Sequence, residues 1–169
     1  FAVIFFSTAV GGLVFQSTTF SLPKVFDERL GELAVTATSV GGFAFIVFAL
    51  ASVGQLIVGY LLDRVSLKLV FLIVAAIQTV FFALMVGATG SVALAVGAVF
   101  MLAVFGQIPI NDVLLGRITR SEWRSRVFGF RYIVTFSVSA SSIPLIAWIY
   151  ALWGFDALFW VLTGAALAI

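Results

Sequence analysis

The chain has 169 residues, of which 63% are hydrophobic and only 9% are charged, and its mean hydropathy is +1.27. A soluble domain carries about a quarter charged residues, so this composition excludes a water-exposed globule and indicates an all-α polytopic membrane protein. Without cysteine or histidine, a disulfide framework is excluded and a zinc site is disfavoured. The net charge of +2 does not indicate a nucleic-acid partner; the partner expected from composition is the lipid bilayer.

Hydrophobic runs predict six transmembrane helices, because one span takes about 20 residues. The first span is predicted to stop before Pro23, a helix breaker, and the sixth to begin after Asp156. The chain opens and ends inside apolar runs, so both ends look cut and we expect a fragment of a longer protein. The predicted spans are about 1–22, 33–62, 67–88, 92–115, 127–153 and 157–169, the last one truncated.

The positions of lysine and arginine predict the orientation of these spans. The loops after spans two and four hold two and four basic residues, whereas those after spans three and five hold none. Lys24 and Arg29 follow span one, but three acidic residues accompany them. Because cytoplasmic loops carry the excess of basic residues, we expect loops 63–68 and 116–126 to be cytoplasmic in a multi-pass protein of the cell (inner) membrane.

Two short loops resemble motifs of one transporter family. Residues 59–68 read Gly-Tyr-Leu-Leu-Asp-Arg-Val-Ser-Leu-Lys, which resembles the loop signature G-x-L-x-D-R-x-G-R-K of the major facilitator superfamily. Ser66 replaces the second glycine and Leu67 the first basic residue, as in the degenerate copy between helices eight and nine of that family. Residues 123–129, Trp-Arg-Ser-Arg-Val-Phe-Gly, resemble the family's loop before helix eleven, often R-G-R-x-x-G.

The resemblance implies a fold, a partner and a gate. Residues 1–169 would be the C-terminal six-helix half, a 3+3 inverted repeat, and an N-terminal half would be missing from the chain. In this family the aspartate of the signature meets helix ends and basic residues of the opposite half when the cytoplasmic side closes. Asp63 fits that role, because its own helix dipole is unfavourable for a carboxylate there. The alternative is that the charged loops only set topology.

One arginine of this basic region is predicted inside a span. Arg131 lies about one turn within span five, where it needs a partner or must extend outward to the interface. Asp112 and Asp63 are both candidate partners. The gate candidates, together with the motif glycine Gly59, are Asp63, Arg64, Lys68, Asp112, Arg124, Arg126 and Arg131.

Amide side chains deep in the spans are the candidates for substrate contact. Buried amides must find partners in neighbouring helices or line a water-filled cavity. On helical wheels Gln55 shares one side of its span with Gly59, and Gln107 shares one with Asn111. The resemblance places spans one and four at the central cavity of the transporter. The candidates are Gln16, Gln55, Gln107 and Asn111, with hydrogen bonding between helices as the alternative role.

The function implied by the resemblance is secondary active transport of a small molecule by alternating access, with proton-coupled efflux as one form. No phosphate loop, nucleophile triad or paired carboxylate indicates an enzyme, and no cofactor or metal is expected. No span carries an ionisable residue near its middle, so if transport is proton-coupled, the titrating group is expected in the missing N-terminal half. The alternative is a six-span scaffold, or a permease subunit without its own gate.

Overall fold

The computed structural model describes the backbone of residues 2–169 and the side chains of residues 6–31 and 33–169. Within this part of the chain there are five α-helices and two single turns of 3₁₀-helix, 31–33 and 121–123. The α-helices are α1 (Ala2–Arg29), α2 (Ala37–Arg64), α3 (Leu67–Met85), α4 (Gly90–Ile118) and α5 (Arg124–Ala168).

The helices run alternately up and down, because the connections between them are short. Thr36 caps the start of α2 in a reciprocal capping box with Ser39, and Ser66 caps α3 by accepting the Leu69 N–H. Such caps satisfy N–H groups that have no partner within the helix. One end of the bundle, the Asp63 end, carries the α2–α3 turn and the α4–α5 connection. The other end, the Arg29 end, carries the α1–α2 and α3–α4 connections.

Helix α4 lies at the centre of the bundle, in contact with α1, α2 and α3, while α5 packs against α1 and α3. Phe82, Phe100 and Phe159 bring α3, α4 and α5 together in one buried aromatic cluster, with ring centroids 5.2 to 6.3 Å apart. Tilted ring pairs at such distances add to the van der Waals packing of the helices.

Helices α2 and α4 pack closely at two glycines. A Cβ atom added to Gly54 would lie 2.9 Å from the carbonyl oxygen of Leu102, and one added to Gly106 would lie 2.7 Å from Val58 Cγ2. Both distances are shorter than real Cβ contacts allow. Small residues at such crossings let two backbones approach closely, which favours packing inside a membrane.

Spans five and six were predicted as separate helices, but the structure contains them in one element, so the count of six helices is not confirmed. Gly154 interrupts α5 with a non-helical backbone (φ 74°, ψ −173°). The arm after Gly154 runs back along α3, since Phe159 packs on Phe82 and Ala166 shares a groove with Phe71. The 3+3 inverted repeat remains a prediction.

Helix α1 does not end before Pro23, where span one was predicted to stop. Helix α1 continues through Pro23 to Arg29, although proline removes one backbone hydrogen bond. Leu22, Val25 and Phe26 are all completely or almost completely buried, and their packing holds the helix together on both sides of the proline. The connection to α2 is correspondingly shorter than predicted.

Four helical segments of the described chain are long and apolar enough to cross a membrane: α2, α3, α4 and the segment Ser121–Ala168 that contains α5. This finding covers only the described residues, and the side chains of residues 2–5 at the start of α1, the predicted first span, lie outside them. Helix α1 carries seven serine, threonine and glutamine residues between Ser7 and Ser21. Several of them, including Thr8, Ser17 and Thr18, are nevertheless buried in the bundle.

Candidate functional site: a cavity beside α1, α4 and α5

A cavity of about 240 Å³ lies between α1, α4 and α5, toward the Asp63 end. Its wall combines aromatic rings, hydroxyl groups, one amide and one pair of opposite charges. The residues that line it are Thr8, Gly11, Gly12, Phe15, Gln16, Ile108, Asp112, Arg131, Tyr132, Thr135, Phe136 and Ser139.

The charged pair is Arg131 of α5 and Asp112 of α4. Arg131 Nη1 donates a hydrogen bond to Asp112 Oδ1, and the side chains are 10% and 44% exposed. A charge inside a membrane span is costly unless it is paired or reaches water. Of the two partners predicted for Arg131, the structure selects Asp112 and leaves Asp63 apart.

A second set of polar side chains, all of them amides, lies on α3 and α4 next to α1. Gln78 Nε2 of α3 donates to Gln107 Oε1 of α4 at 2.8 Å and to the carbonyl oxygen of Ala103 at 3.2 Å. Gln107 and Asn111 approach α1 at Gly11, where an added Cβ would lie 3.4 Å from both amide nitrogens. All three amide side chains are buried.

The four predicted cavity residues therefore lie in three different places. Gln16 lines the cavity wall. Gln107 and Asn111 are buried beside Gly11, and Gln107 makes the interhelical hydrogen bond that was the alternative to substrate contact. Gln55 lies on the half-exposed side of α2 and makes no hydrogen bond with the described residues. The packed face of α2 is instead formed by Val47, Ala51, Gly54 and Val58, among others.

The α2–α3 turn carries three of the predicted gate residues, all exposed. Asp63 makes no ion pair with the described residues, and Arg64 stacks over Tyr60 with its Cζ 4.6 Å from the ring centroid. Lys68 lies in the first turn of α3. No atom lies within 4 Å of the position that a Cβ added to Gly59 would take. The turn is held by the Ser66 cap, which uses the serine that stands in place of the signature's glycine.

The first turn of α5, directly after the α4–α5 connection, contains two further gate candidates, both exposed. Arg124 Nη2 donates to the carbonyl oxygen of Gly116 at 3.3 Å, near the end of α4 where cations are favoured. Arg126 stacks over Trp123, with Cζ 5.0 Å from the ring centroid. Within the described residues, no ion pair joins this connection to the α2–α3 turn.

At the Arg29 end lies a polar cluster that sequence reasoning did not single out. Arg29 Nη2 donates to Asp156 Oδ1 at 2.5 Å, and Nη1 donates to the carbonyl oxygens of Met85 and Ala88. The Gly87 N–H also donates to Asp156 Oδ1, at 3.0 Å. Arg29 thereby ties α1 to the α3–α4 turn and to the turn of α5. The basic and acidic residues of the two loops were the available sequence signal for this pairing.

Asp156 and Lys24, two charged groups at the Arg29 end, have shifted pKa values. The Gly87 N–H, together with Arg29, holds the pKa of Asp156 below its ordinary 3.8, although partial burial acts in the opposite direction. The hydrogen bond and the charge of Asp27 raise the pKa of exposed Lys24. Both shifts favour the charged forms at neutral pH.

A bundle of long apolar helices around a mainly apolar cavity with one charge pair is typical of a polytopic α-helical membrane protein. The sequence model of the Major Facilitator Superfamily matches residues 4–169, so the chain belongs to that family. No curated protein matches the chain. Members of the family transport small molecules across membranes and are not enzymes, and the chain is an integral membrane protein.

Proposed function

We propose that this chain is the C-terminal half of a secondary active transporter that moves a small molecule by alternating access. The cavity between α1, α4 and α5 carries the proposal, because it combines apolar surface with a few convergent polar groups, as ligand sites do. In the proposed transporter an N-terminal half completes the site. The two halves rock against each other around it.

The proposed cytoplasmic gate is formed by the α2–α3 turn and the basic residues around the start of α5. Its support is the exposure of Asp63 and the lack of an ion pair for it among the described residues. At the carboxyl end of α2 the helix dipole destabilises a carboxylate, so Asp63 gains from a partner in the opposite half. Arg124, Arg126 and Lys68 are exposed and can meet that half in the same way.

In the proposed orientation loops 63–68 and 116–126 face the cytoplasm, and the protein resides in the cell (inner) membrane. The bias of basic residues toward these two loops supports this orientation. We propose proton-coupled efflux as the mode of transport. Its support is the mainly apolar, aromatic wall of the cavity, with Phe15, Tyr132 and Phe136, which suits amphipathic solutes.

Side-specific labelling of a cysteine in the cavity tests the gate without knowledge of the substrate. The chain itself contains no cysteine, so Thr135→Cys in the native polypeptide gives a single reporter in this half. Asp63→Asn should increase its labelling by a membrane-impermeant maleimide several-fold from the side of loop 63–68 and decrease it from the opposite side. The same substitution should abolish transport while the protein still inserts.

Asp27→Asn is the matched control, because Asp27 is also an exposed carboxylate but lies at the Arg29 end, where it pairs with Lys24. It should leave labelling from both sides unchanged. If Asp63→Asn and Asp27→Asn give the same labelling as the parent, the charged turn only sets topology and the gate assignment is wrong. A scaffold without alternating access would show labelling from one side only in every variant.

A further inference from the structure

We propose that the cavity between α1, α4 and α5 binds an amphipathic organic anion, whose carboxylate or similar oxyanion is held by Arg131, Thr135 and Ser139. This inference rests on the proposed transport function and names its substrate class.

Arg131 has unused hydrogen-bond donors that face the cavity. A guanidinium group carries five N–H donors. One hydrogen bond, from Nη1 to Asp112, is the only one that Arg131 makes with the described residues through its side chain. The side chain is 10% exposed, so its remaining donors have little access to bulk water. Unsatisfied donors of a buried cation are costly, and an oxyanion in the cavity would satisfy them.

Two hydroxyl groups continue this line of donors along α5. Thr135 and Ser139 follow Arg131 at intervals of four residues and therefore lie on the same side of the helix. Both line the cavity, and both hydroxyl oxygens are buried without a hydrogen-bond partner among the described residues. Gln16 of α1 faces the same space and can donate through its amide.

Asp112 does not favour a cation over an anion here. It is the only acidic residue of the wall, and one of its oxygens already accepts from Arg131. Its side chain is 44% exposed, so water can solvate the other oxygen. Arg131 can only donate, and the hydroxyl groups of Thr135 and Ser139 can donate as well as accept. All three can therefore bind one oxyanion, whereas the charge of Arg131 would repel a cation.

The rest of the wall fits an apolar or aromatic body. Tyr132 and Phe136 stack with centroids 6.2 Å apart, and Phe15 faces them from α1. The volume of about 240 Å³ is slightly below the roughly 300–1,000 Å³ of common drug-sized sites. A bicyclic aromatic monocarboxylate such as 2-naphthoate combines the required charge and shape.

Thermal unfolding of the native polypeptide in detergent, with 2-naphthoate or its neutral isostere 2-naphthamide, tests the inference. The carboxylate should raise the unfolding midpoint in a saturable way, and the amide should shift it much less. Thr135→Val and Ser139→Ala keep the shape of the wall and should together weaken the apparent affinity for 2-naphthoate about 10- to 100-fold. Ser141→Ala is the control, since Ser141 is exposed on α5 and donates only to Ser137.

The charge pair is tested with Arg131→Gln combined with Asp112→Asn, which removes both charges without leaving one unpaired. This variant should bind 2-naphthoate and 2-naphthamide equally. If it does not fold, the hydroxyl variants decide the question. Equal stabilisation of the parent by the two probes, or unchanged affinity in the hydroxyl variants, would overturn the inference.

The labelling experiment on Thr135→Cys separates this inference from the proposed function. Alternating labelling without preference for the carboxylate leaves the transport proposal intact and overturns the anion site. Preference for the carboxylate with labelling from only one side supports the anion site and contradicts alternating access.

Discussion

Single amide side chains hold apolar helices together in this bundle. Gln78 and Gln107 are almost completely buried, and their hydrogen bond joins α3 to α4 at 2.8 Å. The second bond of Gln78, to the carbonyl oxygen of Ala103, lies in the same contact. In a membrane interior such a bond has no water to compete with it, but measured contributions are still modest.

A double-mutant cycle on Gln78→Leu and Gln107→Leu should give a coupling energy of about 0.6–1.7 kcal/mol. Each single variant leaves one amide without its partner, whereas the double variant leaves neither. The measurement is the free energy of unfolding of the detergent-solubilised protein. Gln78→Leu combined with Gln55→Leu should be additive, because Gln55 makes no hydrogen bond with the described residues. Equal coupling in both cycles would contradict the assignment.

The sequence indicated one partly buried ion pair but not the polar cluster at the Arg29 end. Arg131 was predicted to need a partner or to extend outward to the interface, because it lies within an apolar span, and Asp112 was one of its two candidate partners. Arg29 and Asp156 are separated by 127 positions and lie in segments that read as loops. Only the packing of α1 beside α5 brings them together, and no local pattern predicts that contact.

Among the elements, α2 and α4 show how two glycines set a helix crossing. A Cβ atom added to Gly54 would contact the backbone of Leu102, and one added to Gly106 would contact the side chain of Val58. Val58 is β-branched and has few rotamers into which it could retreat. The crossing therefore depends on the absence of a side chain at both glycines.

Gly106→Ala should destabilise the protein by about 1–3 kcal/mol, because its Cβ would overlap Val58 in a well-packed contact. Gly116→Ala on the same helix is the control, since no atom lies within 4 Å of its added Cβ; it should be neutral or slightly stabilising. Adding Val58→Ala to Gly106→Ala should recover part of the loss. Unfolding of the detergent-solubilised variants measures this, and equal effects of the two alanines would contradict it.

The positions of the helices could be predicted from the sequence better than their ends. Each of the predicted spans two, three and four overlaps one observed helix, α2, α3 or α4, with ends that differ by up to four residues, because a span of membrane length leaves a long signal. Pro23 suggested that the first helix ends before it, but tertiary packing allows α1 to continue through the proline. The reversal at Gly154 depends on the backbone conformation of one residue, which a composition window cannot resolve.

Across the whole molecule, the two ends of the bundle are held differently. At the Arg29 end one cluster joins α1, the α3–α4 turn and α5. At the Asp63 end the α2–α3 turn is exposed, and no ion pair connects it to the α4–α5 connection among the described residues. The pair of Arg131 and Asp112 lies between these ends and connects only α4 to α5.

The cluster at the Arg29 end should make stability depend on pH. Because the pKa of Asp156 is lower in the folded protein than its ordinary 3.8, its contribution is present above pH 3.8 and is lost as pH falls through the lower, folded value. Asp156→Asn should cost on the order of 1 kcal/mol at pH 7, a modest effect since the side chain is half-exposed. The difference in unfolding free energy between parent and variant should shrink below pH 3.8, and a constant difference would contradict the assignment.

The reversal at Gly154 also sets the length of α5 against the thickness of a membrane. Without it, the 45 residues of α5 would form a rod of about 68 Å, more than twice the roughly 30 Å of the hydrocarbon core. The last apolar stretch would then extend into water. Because the reversal requires a backbone conformation that glycine adopts without steric cost, one residue lets this stretch turn back along α3 instead of extending the rod.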